Sequence, residues 1–317
     1  MIVSNCKVLI LLATYNGVDF IREQLESIVN QSYKNWELII RDDGSKDGTQ
    51  KIIEEFCIND YRIIQLRDDL MNLGACQNFA TLLNSILYKQ FDFLMFADQD
   101  DFWFENKIEV SLKHMISSKG AINLPKLIYT DFEFADSKLE PLYLATSGTI
   151  NKWKNPSLNR ILAQNNIYGC TMMLNKVLVE KACPIPICAE NHDYWISLVA
   201  GSLGEIHHVS QKTMLYRQHG NNISGNYKDN SLKNRFLRYF KHNKKNLKLL
   251  KGRLNMASVL IERFELDLSI QKRMLIRSYG ELMNRNRIRR IYFCLINGVK
   301  KDRFIQNLAF YFNLFIS

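Results

Sequence analysis

The 317-residue sequence predicts an α/β fold with a mostly parallel sheet flanked by helices, followed by a basic helical C-terminal region. Two observations carry the first half of that reading. Short apolar runs alternate with segments of helical periodicity, and the apolar runs end in polar turns. A third observation, the distribution of charge, carries the second half. Strands joined in this way pool their carboxyl ends along one edge of the sheet, where such folds bind ligands.

Val8 to Ala13 is the first apolar run, and it stops at Thr14-Tyr15-Asn16-Gly17 as a buried strand meeting a turn does. Met1 to Ala13 faintly imitates a secretory leader, but its apolar stretch is short and no small-residue cleavage site follows. Ile21, Leu25, Ile28 and Val29 then recur at helical spacing. Trp36 to Ile40 is the second strand, ended by Arg41-Asp42-Asp43-Gly44-Ser45, and Ile52, Ile53 and Phe56 mark the second helix, with Asp47 or Thr49 as its expected cap. Arg62 to Leu66 reads as a third strand and Ala75 to Leu87 as a third helix. The fourth strand, Phe91 to Ala97, runs directly into Asp98-Gln99-Asp100-Asp101. After about residue 120 the alternation becomes less regular.

Residues 1–225 carry 21 Lys and Arg against 26 Asp and Glu, whereas residues 226–317 carry 21 against 6. That shift predicts a boundary near Gly225, with a first domain over 1–225 and a basic region over 226–317. In the basic region Phe236, Phe240, Leu247, Leu250 and Leu254 fall at helical spacing among lysines, with at least one more helix through 255–285. A basic amphipathic helix suits an anionic membrane surface or an oligomer contact. Nucleic acid is the poorer partner, because the first domain is acidic and no nucleic-acid motif is present. No apolar run approaches the roughly 20 residues that span a bilayer. Seven cysteines without close-paired spacing argue for a reducing compartment, and the expected location is cytoplasmic, peripheral to the inner face of the membrane.

Three carboxylates within Asp98–Asp101 repel one another unless a cation neutralises them. Hard oxygen ligands suit Mg²⁺ or Mn²⁺, which also bridge phosphate oxygens. A solvated turn is the alternative, but the cluster lies between an apolar strand and Phe102-Trp103, at the rim of a core. At Asp42-Asp43 one carboxylate would accept from a base or ribose, an Asx turn being the alternative. The ring of Tyr15 either stacks on a nucleobase or closes the strand end.

Ala13-Thr-Tyr-Asn-Gly17, Trp36-Glu-Leu-Ile-Ile-Arg-Asp-Asp-Gly-Ser45, Asn72-Leu-Gly74 with Asn78-Phe79, and Phe96-Ala-Asp-Gln-Asp-Asp-Phe-Trp103 together resemble inverting family 2 glycosyltransferases of GT-A fold. The resemblance continues through Tyr168-Gly-Cys-Thr171, His192-Asp-Tyr-Trp195 and Tyr216-Arg-Gln-His-Gly-Asn-Asn222, and is greatest to the rhamnosyltransferase-like branch of bacterial surface-polysaccharide synthesis. It covers roughly residues 5–225. It implies that Ala13, Thr14, Tyr15, Asn16, Asp42, Asp43, Asn78, Asp98, Gln99, Gly169, Arg217 and Gln218 face the nucleotide sugar. Asp100 would be the first metal ligand and Asp98 the second, with His219 beside them; Asp101 would shape the loop. Asp193 matches the general base, and His192, Tyr194 and Trp195 the acceptor side, although core packing is the ordinary role of such aromatics. The implied donor is dTDP-rhamnose or a UDP-hexose, and the implied acceptor a lipid-linked glycan of O-antigen or capsule. One departure stands out: Phe104-Glu105-Asn106 replaces a proline usual after the acidic cluster, which predicts a change in helix start only.

Two other classes fit the sequence less well. A metal-dependent nucleotidyltransferase usually carries a Gly-rich basic loop after the first strand, which residues 14–22 lack. A non-catalytic nucleotide- or carbohydrate-binding module has no need for both a metal cluster and a separate base.

Overall fold

A computed structural model describes residues 5–118, 121, 123–142, 156–219 and 243–317. The first half alternates as the apolar runs predict: β1 (Val8–Thr14), α1 (Ile21–Val29), β2 (Trp36–Asp42), α2 (Thr49–Asn59), β3 (Ile63–Leu66), α3 (Ala75–Ser85) and β4 (Phe93–Asp98). These four strands are parallel, in the order β3-β2-β1-β4. Every residue of β1 is buried, because helices cover both faces and leave no polar side. The register pairs Thr14 with Asp42 and Ala13 with Asp98, so the three polar turns emerge side by side at one edge.

The less regular stretch completes an eight-stranded sheet. It contains the short β5 (Phe102–Trp103), α4 (Lys107–Ser117), β6 (Lys126–Ala135), α5 (Leu158–Ala163), β7 (Met172–Asn175), α6 (Lys176–Ala182), α7 (His192–Leu203) and β8 (Glu205–Arg217). β7 pairs antiparallel with both β4 and β6, while β6 and β8 are parallel with a register break between Thr130 and Glu133. That break and the reversed β7 account for the fading of regular alternation in the sequence. Helix α4 starts at Lys107 with Asn106 in the cap position, so the helix forms without the usual proline. At α2 the cap position is Gly48, yet the Asp47 carboxylate still accepts from the Thr49 amide at 3.0 Å.

Beyond β8 the described chain is helical: α8 (Asn243–Phe264), α9 (Ile270–Gly280), α10 (Arg287–Ile296) and α11 (Phe304–Ile316). The expected boundary at Gly225 and the residues Phe236 and Phe240 lie outside the described residues. Leu250 and Leu254 are buried, and with Met256, Ala257 and Leu260 they join one apolar cluster with Leu158, Ile161, Tyr194 and Trp195. The stripe expected to face lipid on this helix therefore faces the protein's own core from Leu250 onward. Burial of this kind is worth roughly 1.5–3 kcal/mol per large side chain, which outweighs a surface role for the same residues.

Candidate active site

The three turns are stitched together by side chains. Gln99 Oε1 accepts from the Thr14 hydroxyl at 2.6 Å and the Tyr15 amide at 2.8 Å, and its Nε2 donates to the Tyr15 carbonyl at 3.2 Å. A Cβ at Gly17 would lie 2.5 Å from that Oε1, so a larger residue there would push the Gln99 side chain from its place. Asn16 adopts φ 47° and accepts from the Lys46 amide, while its own amide donates to the Ser45 hydroxyl at 2.7 Å. Asp42 accepts from the Ser45 amide at 3.0 Å and Gln50 Nε2 at 2.8 Å and remains half-buried at the rim. Tyr15 stands exposed beside it.

Two residues expected on the nucleotide sugar are instead inside the wall. Asp43 is buried, its oxygens accepting from the Leu73 amide at 3.0 Å and the Gly74 amide at 2.9 Å. Asn78 is buried and takes Arg41 Nη1 on its Oδ1 at 2.9 Å. Arg41 itself is buried, paired with Asp68 and Asp43 and bonded to the Leu70 carbonyl. Asp43 and Asn78 thus shape the 70–74 loop, and their polar atoms are spent doing so.

At the end of β4, Asp98 and Asp101 carboxylate oxygens and the Cys170 sulfur lie within 4.8 Å of one another. Asp98 is half-buried and Asp101 buried, with Asp101 Oδ2 lacking a partner. Burial, reinforced by Asp100, pushes Asp98 up to about 7 and Asp101 well above the ordinary carboxylate range. Burial also keeps the Cys170 thiol protonated, which makes it a hydrogen-bond donor to these acids and leaves the cation-binding capacity to oxygen. Lys107, buried beneath with its ammonium on Thr213 Oγ1 at 3.2 Å, is brought down to about 8 by desolvation. Asp100 Oδ2 lies 2.7 Å from His219 Nε2, and the His219 ring packs on Phe20 at 4.6 Å. Crowded, under-neutralised carboxylates with an imidazole alongside fit a divalent cation, and the donor set suits Mn²⁺ as well as Mg²⁺.

Arg217 is placed differently from its expected role. It is 1% exposed; its Nε donates to the Asp100 carbonyl at 2.8 Å, its other nitrogens reach Ser137 and Glu23, and its guanidinium lies over Phe20. It holds the backbone of the acidic loop and leaves no group for a nucleotide. The neighbouring Gln218 has both side-chain amide atoms buried and unpartnered.

Asp193 sits in the first turn of α7, within electrostatic reach of Asp98. One carboxylate oxygen accepts from the Gly169 amide at 3.2 Å, and the other is buried, with the Tyr194 amide and the Asn165 side chain nearby to favour its charge. Burial pushes this acid up to about 7. His192 turns inward, its ring 4.1 Å from Phe79 and 4.8 Å from Phe96, and burial lowers it to about 3, so it is neutral. Tyr194 donates to the Leu162 carbonyl at 3.1 Å and Trp195 to the Ala182 carbonyl at 2.8 Å, both fully enclosed. The three aromatics expected to face an acceptor are therefore core residues that fix the helix carrying Asp193.

A Cβ at Gly169 would lie 2.7 Å from His192 Nε2. Gly169→Ala is accordingly expected to displace His192 and Asp193, cutting transfer by at least tenfold with nucleotide affinity retained, as measured by kcat against nucleotide binding. Glu190 and Arg253 escaped the sequence reading altogether. Arg253, from α8, holds Glu190 through Nε at 2.8 Å and donates to the Ala163 carbonyl at 2.7 Å. Glu190 lies three residues before Asp193, and the partners are 63 positions apart, with no local signal linking them. Arg253→Met leaves Glu190 unpaired, and the expected cost is about 3–5 kcal/mol in denaturant unfolding.

This arrangement can be set beside known proteins. A sequence profile described as glycosyl transferase family 2 matches residues 9–180. The chain belongs to glycosyl transferase family 2. Among family members it is 29% identical over 226 residues to the dTDP-rhamnosyl transferase RfbG of Shigella flexneri, covering 68% of this chain and 73% of that one. It is 27% identical over 218 residues to WfaP of Escherichia coli, a UDP-Glc:alpha-D-GlcNAc-diphosphoundecaprenol beta-1,3-glucosyltransferase, covering 68% and 79%. In fold it is similar to the mannosyltransferase PcManGT of Pyrobaculum calidifontis, solved with GDP-Man and Mn²⁺, at TM-score 0.55 and 11% identity over 92% of this chain and 73% of that one. The family 2 architecture is thus GT-A-like: a mostly parallel sheet, curled by antiparallel β7, with helices at the C-terminus.

Proposed function

We propose that this family 2 enzyme is an inverting, metal-dependent transferase that moves a sugar, with rhamnose the first choice, from a nucleotide-diphosphate donor to a hydroxyl of a lipid-linked glycan. The observation that carries the mechanism is Asp193: a buried carboxylate with one oxygen pinned by the Gly169 amide, close enough to Asp98 for its charge to raise that acid. Relatives named for dTDP-rhamnosyl transfer and for glucosyl transfer to a diphosphoundecaprenol-linked sugar support the substrate classes.

In this reading Asp42 and Tyr15 hold the nucleoside at the rim, while Gln99 sets the spacing between the first turn and the acidic loop. Asp98, Asp100 and His219 would hold Mg²⁺ or Mn²⁺. Such an ion supplies positive charge against the diphosphate leaving group. Asp193 takes the acceptor hydroxyl proton as that oxygen bonds to the anomeric carbon and the bond to the diphosphate breaks. One displacement inverts the configuration, and nucleoside diphosphate leaves. Residues 1–225 form the catalytic part in this reading, and 226–317 bring it to the cytoplasmic face of the membrane in O-antigen or capsule synthesis.

A panel of nucleotide sugars with Mg²⁺ or Mn²⁺, scored for released nucleoside diphosphate and for the anomer formed on a lipid-linked acceptor, tests the proposal. Release from dTDP-rhamnose or a UDP-hexose, with inversion and only with metal, is the expected result. Retention of configuration, or undiminished turnover in chelator, would overturn it.

A further inference from the structure

The last two helices form an antiparallel pair with two distinct sides. Phe293 and Cys294 of α10 and Phe310 and Leu314 of α11 face the core. Buried Arg290 fastens the pair, its Nη1 donating to the Leu314 carbonyl at 3.1 Å and its Nη2 to the Met283 carbonyl at 3.0 Å. On the outward side of α10, Ile288, Tyr292, Leu295 and Ile296 are 57–75% exposed. On that of α11, Phe304, Leu308, Phe312 and Phe315 are 42–76% exposed. Each set falls at helical spacing and forms a stripe. The Arg287 guanidinium, 5.6 Å from the Phe315 ring, joins the two stripes at one end. Scattered exposed apolar residues need no explanation, whereas paired stripes do.

Charge decides what covers this face. Apart from buried Arg290 and desolvated Lys301, residues 285–317 contain five Lys and Arg and a single acid, Asp302. We propose that α10 and α11 are the surface by which this enzyme lies on anionic phospholipid. A second copy would bring like charges together, and nucleic acid would leave the apolar stripes in water. An anionic bilayer takes both the greasy stripes and the basic rim, as interfacial amphipathic helices do. Among the described residues no helix is long and apolar enough to cross a membrane.

The placement has a functional sense that rests on the lipid-linked acceptor proposed above. The α10–α11 connection is tied to the catalytic part: Arg160 Nη1 donates to the Lys300 and Lys301 carbonyls at 3.3 and 3.0 Å, and Asn166 Nδ2 to the Asp302 carboxylate at 2.5 Å. Asn166 stands three residues before Gly169, whose amide holds Asp193. The connection between the two helices of the lipid face therefore adjoins the segment that leads to Gly169.

The test is sedimentation of the full chain with phosphatidylcholine vesicles, with and without phosphatidylglycerol, at low and high salt. Two variants accompany it: Ile288→Ser/Tyr292→Ser/Leu295→Ser/Phe304→Ser and Arg287→Gln/Arg289→Gln/Lys300→Gln. The parent is expected to bind only the anionic vesicles and to be released by salt. The basic variant should partition roughly 100-fold less well, and the apolar variant should lose binding, both with unchanged transfer to a soluble acceptor. Parent-like binding by either variant would overturn the proposal. So would a parent dimer, seen by light scattering, that the apolar variant dissolves. Sedimentation needs no donor or acceptor, so a chain that binds vesicles but transfers no sugar refutes the activity alone. One that transfers sugar but ignores anionic lipid refutes the docking face alone.

Discussion

Asp193→Asn is expected to lower kcat for sugar transfer by about 10²- to 10⁴-fold, the usual contribution of a positioned base, with nucleoside diphosphate affinity nearly intact. The amide keeps the Gly169 contact and loses only the ability to accept a proton. Calorimetric titration with the nucleotide separates this from a folding defect. A pH profile adds an independent readout. Because burial pushes Asp193 up to about 7, its carboxylate form is lost as pH falls through that value. The rate should therefore drop tenfold per unit below about 7 and level off above it. A variant that turns over normally would remove Asp193 from the mechanism.

Divalent metal is expected to stabilise the protein most strongly at alkaline pH. Asp98 is raised to about 7 by burial and by the charges of Asp100 and Asp193, and Asp101 is raised too, by burial and by the charges of Asp100 and Asp98. A carboxyl whose folded value lies above its unfolded one favours the fold when protonated, and that contribution disappears as pH rises through the folded value. Metal-free protein should thus melt lower at pH 8 than at pH 5. Mn²⁺ at a hundred times its Kd should restore about 2.7 kcal/mol at pH 8, and less at pH 5, where protons compete. Asp98→Asn should raise the melting temperature of the metal-free protein at pH 8, blunt the response to Mn²⁺, and reduce transfer at least a hundredfold. Scanning calorimetry with and without chelator reads all three. A metal response equal at both pH values would contradict the coupling.

The parallel half of the sheet was legible because its strands are short, mostly apolar and punctuated by polar turns, so Thr14, Asp42 and Asp98 fall at the strand ends as expected. β7 could not be read as antiparallel, since a four-residue apolar strand carries no mark of direction. Motif membership located the cleft but not the orientation of each side chain within it. Asp43, Asn78 and Arg217 belong to the recognised motifs, yet their polar atoms are turned into the wall by hydrogen bonds to residues distant in sequence. The same applies to Tyr194 and Trp195, where the aromatic character that suits sugar stacking also suits a core. In the tail, helical spacing placed Leu247, Leu250 and Leu254 on one helix, but it put the next helix from 255, where α8 runs on to Phe264, and it could not tell which partner the apolar side meets. Leu250 and Leu254 join the apolar cluster that includes residues of α5 and α7, whereas the outward stripes occur on α10 and α11, each shorter than α8.

The shared cluster of tail and sheet residues bears on how this enzyme can be recombined. Met256, Leu260 and Phe264 pack in the same apolar cluster as Trp195, and the Arg263 guanidinium lies 5.2 Å from the Trp195 ring, so the tail serves as the back wall of the helix bearing Asp193. A chimera that grafts another relative's tail after residue 225 inherits a seam through the middle of a core. It would need the facing positions on α5 and α7 transplanted with it. Cutting the chain there yields an opened protein in place of a self-contained catalytic fragment, so the tail and the helix bearing Asp193 travel as one inheritable unit.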